Sequence, residues 1–308
     1  MDRFQEMQIF VVVAQEQGFS AASRRLGLSA ASVTRAVAAL EQHIGTQLLV
    51  RTTRTVHLTE AGQRYCDDCR RILAEVQEAE DSAAGSHALP RGQLTITAPV
   101  LFGDLFVTPV MADYLCRYPD VSINALLLDR VVNMVEEGID VAVRIGELPD
   151  SNQHAIRVGE VRRVICASPT FLAEHGRPEH PQALAALPVV ATSAIGQQRN
   201  WPFLDGGEAL SVRTEPRLTV TANQSAITAA RKGLGLTRVL SYQVADKVAA
   251  GELEIVLAEF ELPPLPIHVV YQGGRKAPAR TRSFVDFAVK ALREHPALSA
   301  AALLHEMK

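Results

Sequence analysis

Between Ser20 and Leu58 the sequence places Arg24, Arg25, Arg35, Arg51 and Arg54 against the single acid Glu41, a local charge of +4. Arginine carries a permanent charge on a flat fork of donors, which suits phosphate oxygens and the guanine edge. Ser29, Ser32 and Thr34 add short hydroxyls beside Arg35. That mixture is chemistry for recognising a polyanion rather than for making or breaking bonds. Bond-making constellations are missing from the sequence. It has no HExxH, GxSxG or Walker loop, and Gly233-Leu234-Gly235 runs into Leu236-Thr237-Arg238-Val239 without the third glycine of a dinucleotide loop. Cys66-Asp67-Asp68-Cys69 forms a C-x-x-C with no second pair and no histidine at ligand spacing, so neither zinc nor redox use is expected of it. His175 and His180 lie in HGRPEH, a proline-containing loop that reads as structural or solvated. No catalytic residue, metal or cofactor is therefore expected.

The basic residues need a scaffold, and the local pattern supplies one. Phe4, Met7, Phe10, Val11 and Ala14 recur at helical spacing and predict a helix over residues 2–17, ended by Gly18. Ser20 is expected to cap a short helix, Ala21 to Leu26, broken by Gly27. Ser29 then caps a third helix, Ala30 to about Ile44, stopped by Gly45. Two helices joined by a tight turn at Gly27-Leu28 make a helix-turn-helix. On the third helix Val33, Val37, Leu40 and Ile44 form one narrow apolar stripe that must face a core. Ala31, Arg35, Ala38 and Gln42 lie opposite, flanked by Ser32 and Thr34. This small, polar, basic face suits entry into a DNA major groove: Ala31 can meet a thymine methyl, and Arg35 a guanine edge or a phosphate.

Residues 48–59, LLVRTTRTVHLT, have strand character and a threonine-rich tip flanked by Arg51 and Arg54. A two-stranded wing of this kind lays Arg51, Thr53 and Arg54 along phosphates or into the minor groove. Thr59 caps the long helix that follows, with Glu60 in its positive first turn. Along that helix Ala61, Tyr65, Cys69, Ile72, Val76, Ala79 and Ala83 are spaced 4, 4, 3, 4, 3 and 4. From Tyr65 on, this is a coiled-coil seam, and it predicts a dimer through Tyr65, Cys69, Ile72, Val76 and Ala79. The competing reading is a helix packed on its own domain.

The whole chain has 308 residues, enough for two or three domains at ~150 residues each. It is 47% hydrophobic and 21% charged, which excludes a disordered chain. The early apolar run Ile9 to Ala14 is too short to cross a bilayer, and MDRFQEMQ lacks the basic start and apolar stretch of a secretory signal. A cytoplasmic protein without a membrane partner is expected. Four cysteines are too few for a disulfide framework. The net charge of −3 argues against coating nucleic acid over the whole surface, and Ala61 to Pro90 is itself acidic, at −3.

The stretch GFSAASRRLGLSAASVTRAVAALEQHIGTQLLVRTTRTVHLTEAG resembles the winged helix-turn-helix of LysR-type transcriptional regulators. The likeness includes Phe19-Ser20, Ala21-Ala22, Leu26, Leu40-Glu41, Gly45, Leu48, Arg51 and the exit Leu58-Thr59-Glu60-Ala61-Gly62. Leu49 stands where many members carry phenylalanine. Later landmarks resemble the periplasmic-binding-protein-like effector domain of that family: Glu137-Gly138-x-Asp140-x-Ala142-x-Arg144-x-Gly146, Ala167-Ser168-Pro169, Gly176-x-Pro178, Gly233-x-Gly235, Gly251-x-Leu253 and Phe284-Val285-Asp286-Phe287.

Beyond a small, polar linker at Ser82 to Gly92, the pattern alternates. Strands are predicted at 94–98, 121–128, 140–144, 162–166, near 188–191, at 217–221, after Gly235 and at 267–271. Helices are predicted at 104–118, 131–138, from Pro169, from Asn223 to Lys232, and at 280–294. The alternation implies open, mostly parallel sheets with helices on both faces. The resemblance implies two lobes, and hence an α/β, type 2 periplasmic-binding-protein-like domain behind an α-rich winged helix-turn-helix and linker helix. The expected boundaries are 1–59 for DNA binding, 60–90 for the linker helix and hinge, and 91–308 for effector binding. Lobe I takes about 91–161 and 267–308, and lobe II about 162–266.

In open α/β sheets ligands sit beyond the carboxyl ends of strands. That rule nominates Pro99, Val100, Leu101 and Phe102, then Arg144 and Gly146, then Thr192 and Ser193, with Asn223 and Thr237 nearby. Arg144 or Arg238 would suit an anionic or carbonyl-bearing small molecule. The expected protein is a LysR-type regulator whose partners are double-stranded DNA, a small-molecule effector, copies of itself in a dimer or tetramer, and RNA polymerase. The alternative, a solute-binding receptor, has no use for the N-terminal ninety residues. An enzyme on the same scaffold has no constellation behind it.

Overall fold

The computed structural model describes residues 2–51, 56–83, 89–149, 153–193, 199–274 and 277–298. The chain divides into two compact units, Met1–Ala88 and Leu89–Lys308.

In the first unit, α1 (Arg3–Glu16), α2 (Phe19–Leu26) and α3 (Ala30–Ile44) precede a hairpin of β1 (Leu49–Arg51) and β2 (Val56–Leu58), and α4 (Glu60–Ala83) follows. The first turn differs from expectation. The chain leaves α1 through Gln17 in the left-handed region, and Gly18 is the N-cap of α2. Ser20 therefore lies inside α2, where its carbonyl accepts from the Ser23 hydroxyl. Ser29 caps α3 as the sequence predicts, accepting from the Ser32 amide at 3.1 Å. The stripe of α3 packs inward: Val33, Val37 and Leu40 are fully buried with Phe10, Val13, Leu48 and Leu49, and Ile44 is half-buried at the edge of this core. β1 and β2 are antiparallel, with Leu49 opposite Leu58 and Arg51 opposite Val56. Thr59 caps α4 by accepting from the Gly62 amide, while its hydroxyl donates to the Gln47 carbonyl. Gly62 is required here, because a Cβ would sit 2.0 Å from the Leu48 carbonyl oxygen.

The second unit holds two five-stranded sheets. The chain builds β3 (Gly92–Ala98), α5 (Val100–Phe102), a π-turn at Gly103–Val107, α6 (Thr108–Arg117), β4 (Val121–Leu127), β5 (Val141–Ile145) and β6 (His154–Val161). It crosses at Arg162 into β7 (Arg163–Ala167), α7 (Pro169–His175) and β8 (Val189–Thr192). Next come the hairpin β9 (Asn200–Asp205) and β10 (Glu208–Arg213), then β11 (Pro216–Val220), α8 (Asn223–Arg231), β12 (Leu236–Leu240), α9 (Ser241–Ala249) and β13 (Glu254–Val256). It finally returns through β14 (Leu265–Tyr271) and α10 (Ala279–Glu294).

The strand orders are β4-β3-β5-β14-β6 and β11-β8-β12-β7-β13. Both sheets are mixed rather than mostly parallel. β3 pairs in parallel with β4 and β5, as β8 does with β11 and β12. β14 runs antiparallel to β5 and β6, and β7 antiparallel to β12 and β13. The predicted helix at 131–138 is a turn region instead. Its buried residues, Val132 and Met134, follow no helical period, and Val131 and Val135 are 84% and 70% exposed. The Asn133 side chain takes the Val135 amide, a local bond that competes with helix.

At the crossing, Arg162 donates from Nε and Nη2 to both carboxylate oxygens of Glu261, at 2.8 and 2.9 Å, with the pair almost wholly buried. Ser241 closes the same junction: its amide donates to the Arg162 carbonyl, and its hydroxyl accepts from the Arg162 amide. No helix among the described residues is long and apolar enough to cross a membrane.

Candidate functional site

The first candidate surface is the outward side of α3. Because Val33, Val37 and Leu40 are buried, the 3.6-residue period turns Ala31 and Arg35 outward, and both are exposed. Ser29 is exposed, and Ser32 and Thr34 are half-buried on the flanks. The Arg35 Nε lies 3.4 Å from the Ala31 carbonyl, so the guanidinium lies back along its own helix. Glu41, the one acid of this basic stretch, is engaged away from that face. One of its carboxylate oxygens accepts from the Leu48 and Leu49 amides at 2.8 and 3.0 Å. That contact ties α3 to the first wing strand. Arg51 ends β1, whereas Thr53 and Arg54 lie outside the described residues.

On α4 the expected seam divides. Tyr65 packs against Phe10 with ring centroids 5.9 Å apart, and Cys69 is fully buried beside Cys66. These positions are used within the unit, because α1 presents Phe10 and Val13 and needs a cover. Burial raises both thiols, Cys69 to about 11, away from the thiolate that reactivity needs. Ile72 and Val76 remain half-buried, and the Ala79 side chain lies outside what is described.

The second candidate site is a cavity of about 270 Å³ between the two sheets of the second unit. Four nominated residues line it: Pro99 after β3, Arg144 on β5, Thr192 at the end of β8 and Asn223 at the start of α8. Val100, Leu101, Phe102, Gly146, Ser193 and Thr237 do not line it. Phe102 is buried and meets Tyr242 edge-on at 5.4 Å, while Thr237 is buried inside its sheet. The Ser193 hydroxyl turns to the Val220 carbonyl at 3.4 Å. Gly146, at φ +110°, donates its amide to Pro266.

Other lining residues were not nominated, chiefly Arg163 on β7, Trp201 on β9, Tyr242 and Gln243 on α9, and Leu265 on β14. Arg238, expected with Arg144 to suit an anionic or carbonyl-bearing molecule, also lines the cavity and lies 5.1 Å from the Trp201 ring centroid. Burial lowers the Arg144 and Arg163 guanidiniums from their ordinary range. Arg238 falls to about 10, through burial first and then the adjacent Arg163 charge. The Arg144 Nη2 donates to the Val132 carbonyl at 2.9 Å. No group of histidines, cysteines and acids among the described residues could hold a metal ion.

Residues 4–63 match the family described as bacterial regulatory helix-turn-helix protein, lysR family, and residues 87–293 match the LysR substrate binding domain. The chain belongs to the LysR family of transcriptional regulators. Among its relatives, an HTH-type transcriptional repressor of Pseudomonas aeruginosa is 32% identical over 96% of this chain and 94% of its own length. The regulator DmlR of Escherichia coli is also 32% identical, with 94% of each chain covered. Among solved structures, the LysR-type regulator CrgA of Neisseria meningitidis has 30% identity, a TM-score of 0.60, and coverage of 94% of this chain and 98% of its own. The full-length virulence activator AphB of Vibrio cholerae has 25% identity and a TM-score of 0.61, covering 94% and 99%. This LysR-type chain thus joins a DNA-binding helix-turn-helix to an effector-binding domain.

Proposed function

We propose that this LysR-type regulator reads a specific operator with α3 and adjusts its hold in response to a small molecule bound between the two sheets. Ser29, Ala31, Ser32, Thr34 and Arg35 face the major groove, and Arg51, Thr53 and Arg54 grip the backbone from the wing. Residues 1–59 form the reading head, 60–90 the pairing element and 91–308 the sensor. Pairing uses Ile72, Val76 and Ala79, since Tyr65 and Cys69 are occupied within their own unit. The resulting dimer or tetramer works in the cytoplasm at a promoter, together with RNA polymerase. A solute-binding receptor would share only the second unit, and the first would have no role in it.

The observation that carries this reading is the division of α3 into a fully buried stripe and an exposed small-basic face. The test starts by sequencing the DNA fragments that the purified protein retains, which gives the operator. Arg35→Ala should then cost about 1–3 kcal/mol at that operator and relax preference at one base position, with non-specific binding little changed. Unchanged operator affinity and base preference in that variant would remove α3 from the groove.

A further inference from the structure

The cavity between the sheets carries more positive charge than its own walls neutralise. Arg130, Arg144, Arg163 and Arg238 line it, against the single carboxylate of Asp129. Arg130 is engaged by Glu137 through two bonds, at 2.8 and 2.7 Å, and Arg144 is turned toward Val132. Arg163 and Arg238 stand on neighbouring strands. Their strands are antiparallel, with Arg163 opposite Leu240 and Arg238 opposite Ile165, so the two arginines are diagonal neighbours on one face of the sheet. Trp201, buried on the same wall, holds the Arg238 guanidinium against its ring. Burial lowers Arg163, and burial together with the Arg163 charge lowers Arg238.

Two half-buried guanidiniums at diagonal positions repel each other, and an anion placed between them turns that repulsion into attraction. Their planar forks match a carboxylate. Much of the remaining lining is apolar, with Pro99, Leu128, Ile145 and Leu265 among it. At ~30 Å³ per water the cavity of about 270 Å³ corresponds to about nine waters, and so to a molecule of about that many non-hydrogen atoms.

We propose that the effector is a small organic acid, its carboxylate received by Arg163 and Arg238 and its apolar body lying toward Pro99 and Leu265. This inference rests on the reading of the cavity as the effector site, and it names the class of molecule and the residues that select it.

The chain contains one tryptophan, and it lies in this cavity, so intrinsic fluorescence reports the site directly. The full-length protein is titrated at constant ionic strength with acetate, succinate and benzoate, with the matching amides acetamide, succinamide and benzamide, and with inorganic phosphate. At least one acid should shift the Trp201 emission saturably. Its amide and inorganic phosphate should each bind about tenfold more weakly or worse, since one lacks the charge and the other the apolar body. Arg163→Gln should bring the acid down to the level of its amide. Arg163→Lys keeps the charge but loses the fork, and should weaken the acid about threefold or more while folding normally. An amide that binds as well as its acid, or acid binding unaffected by either variant, overturns the carboxylate assignment and leaves the cavity as an effector site. Phosphate binding as tightly as the best acid overturns the apolar-body assignment. If none of these compounds moves the Trp201 emission, the inference and the reading beneath it both fall.

Discussion

Glu41 offers the sharpest test of how the wing is held to α3. One of its carboxylate oxygens accepts the Leu48 and Leu49 amides, at 2.8 and 3.0 Å, where the chain turns from α3 into the wing. Leu48 and Leu49 are each 1% exposed, so these donors have poor access to water once the carboxylate is gone. A bond to a charged acceptor contributes about 1.5–3 kcal/mol, and two at the low end give about 3 kcal/mol for Glu41→Ala. At 1.4 kcal/mol per decade that is about a hundredfold in the local opening equilibrium. Glu41→Gln keeps a neutral acceptor and should lose only about 1 kcal/mol. Amide hydrogen exchange of the full-length protein reads this locally. Protection at Leu48 and Leu49 should fall about a hundredfold in the alanine variant and several-fold in the glutamine variant, with the second unit unchanged. Operator affinity should fall in the same order, because the wing loses its fixed position. Protection within about threefold of the parent in Glu41→Ala would refute the reasoning, since the amides would then have other partners.

The linker helix and the junction between the two sheets can be probed in the same way. Ile72→Glu with Val76→Glu should release monomers in sedimentation and leave the helix-turn-helix folded, because neither residue is needed by the core that holds Tyr65 and Cys69. A variant that sediments like the parent would move the dimer contact elsewhere. Glu261→Ala removes the carboxylate that takes two bonds from the buried Arg162 guanidinium and should cost about 3–5 kcal/mol, seen as a lower unfolding temperature of the second unit. Loss below about 1 kcal/mol would mean that the junction is held by the Ser241 bonds instead.

The reading head was legible in the sequence because its signals are local. The α3 stripe repeats at the helical period, Ser29 stands one residue before the helix, and the wing alternates between turn residues. Elements that depend on distant partners were harder to see. At 131–138 two valines and Met134 imitate a helix face, but the Asn133 side chain and the Arg130–Glu137 pair fix a turn. The hairpin β9–β10 carried a signal that was available: Asp205-Gly206-Gly207 lies between two alternating strands, with both glycines at positive φ. Reading that turn would have placed Trp201 on a strand.

The cavity shows the same division, and strand direction explains it. Pro99, Arg144, Thr192 and Asn223 lie at or just beyond the carboxyl ends of parallel strands, where the rule for parallel sheets looks. Arg163 and Leu265 begin β7 and β14, which run the other way. Arg163 pairs with Leu240 at the carboxyl end of β12, and Ile267, two residues into β14, pairs with Ile145 at the carboxyl end of β5. An antiparallel strand inserted among parallel ones brings its first residue to the edge where its neighbours bring their last. The cavity is therefore lined by strand beginnings as well as strand ends. β7 and β14 are the strands that follow the two crossings, so Arg163 and Leu265 stand one and four residues from Arg162 and Glu261, the ion pair that joins those crossings. On the proposed reading, a ligand held by Arg163 would act one residue from that buried ion pair, at the junction between the two sheets.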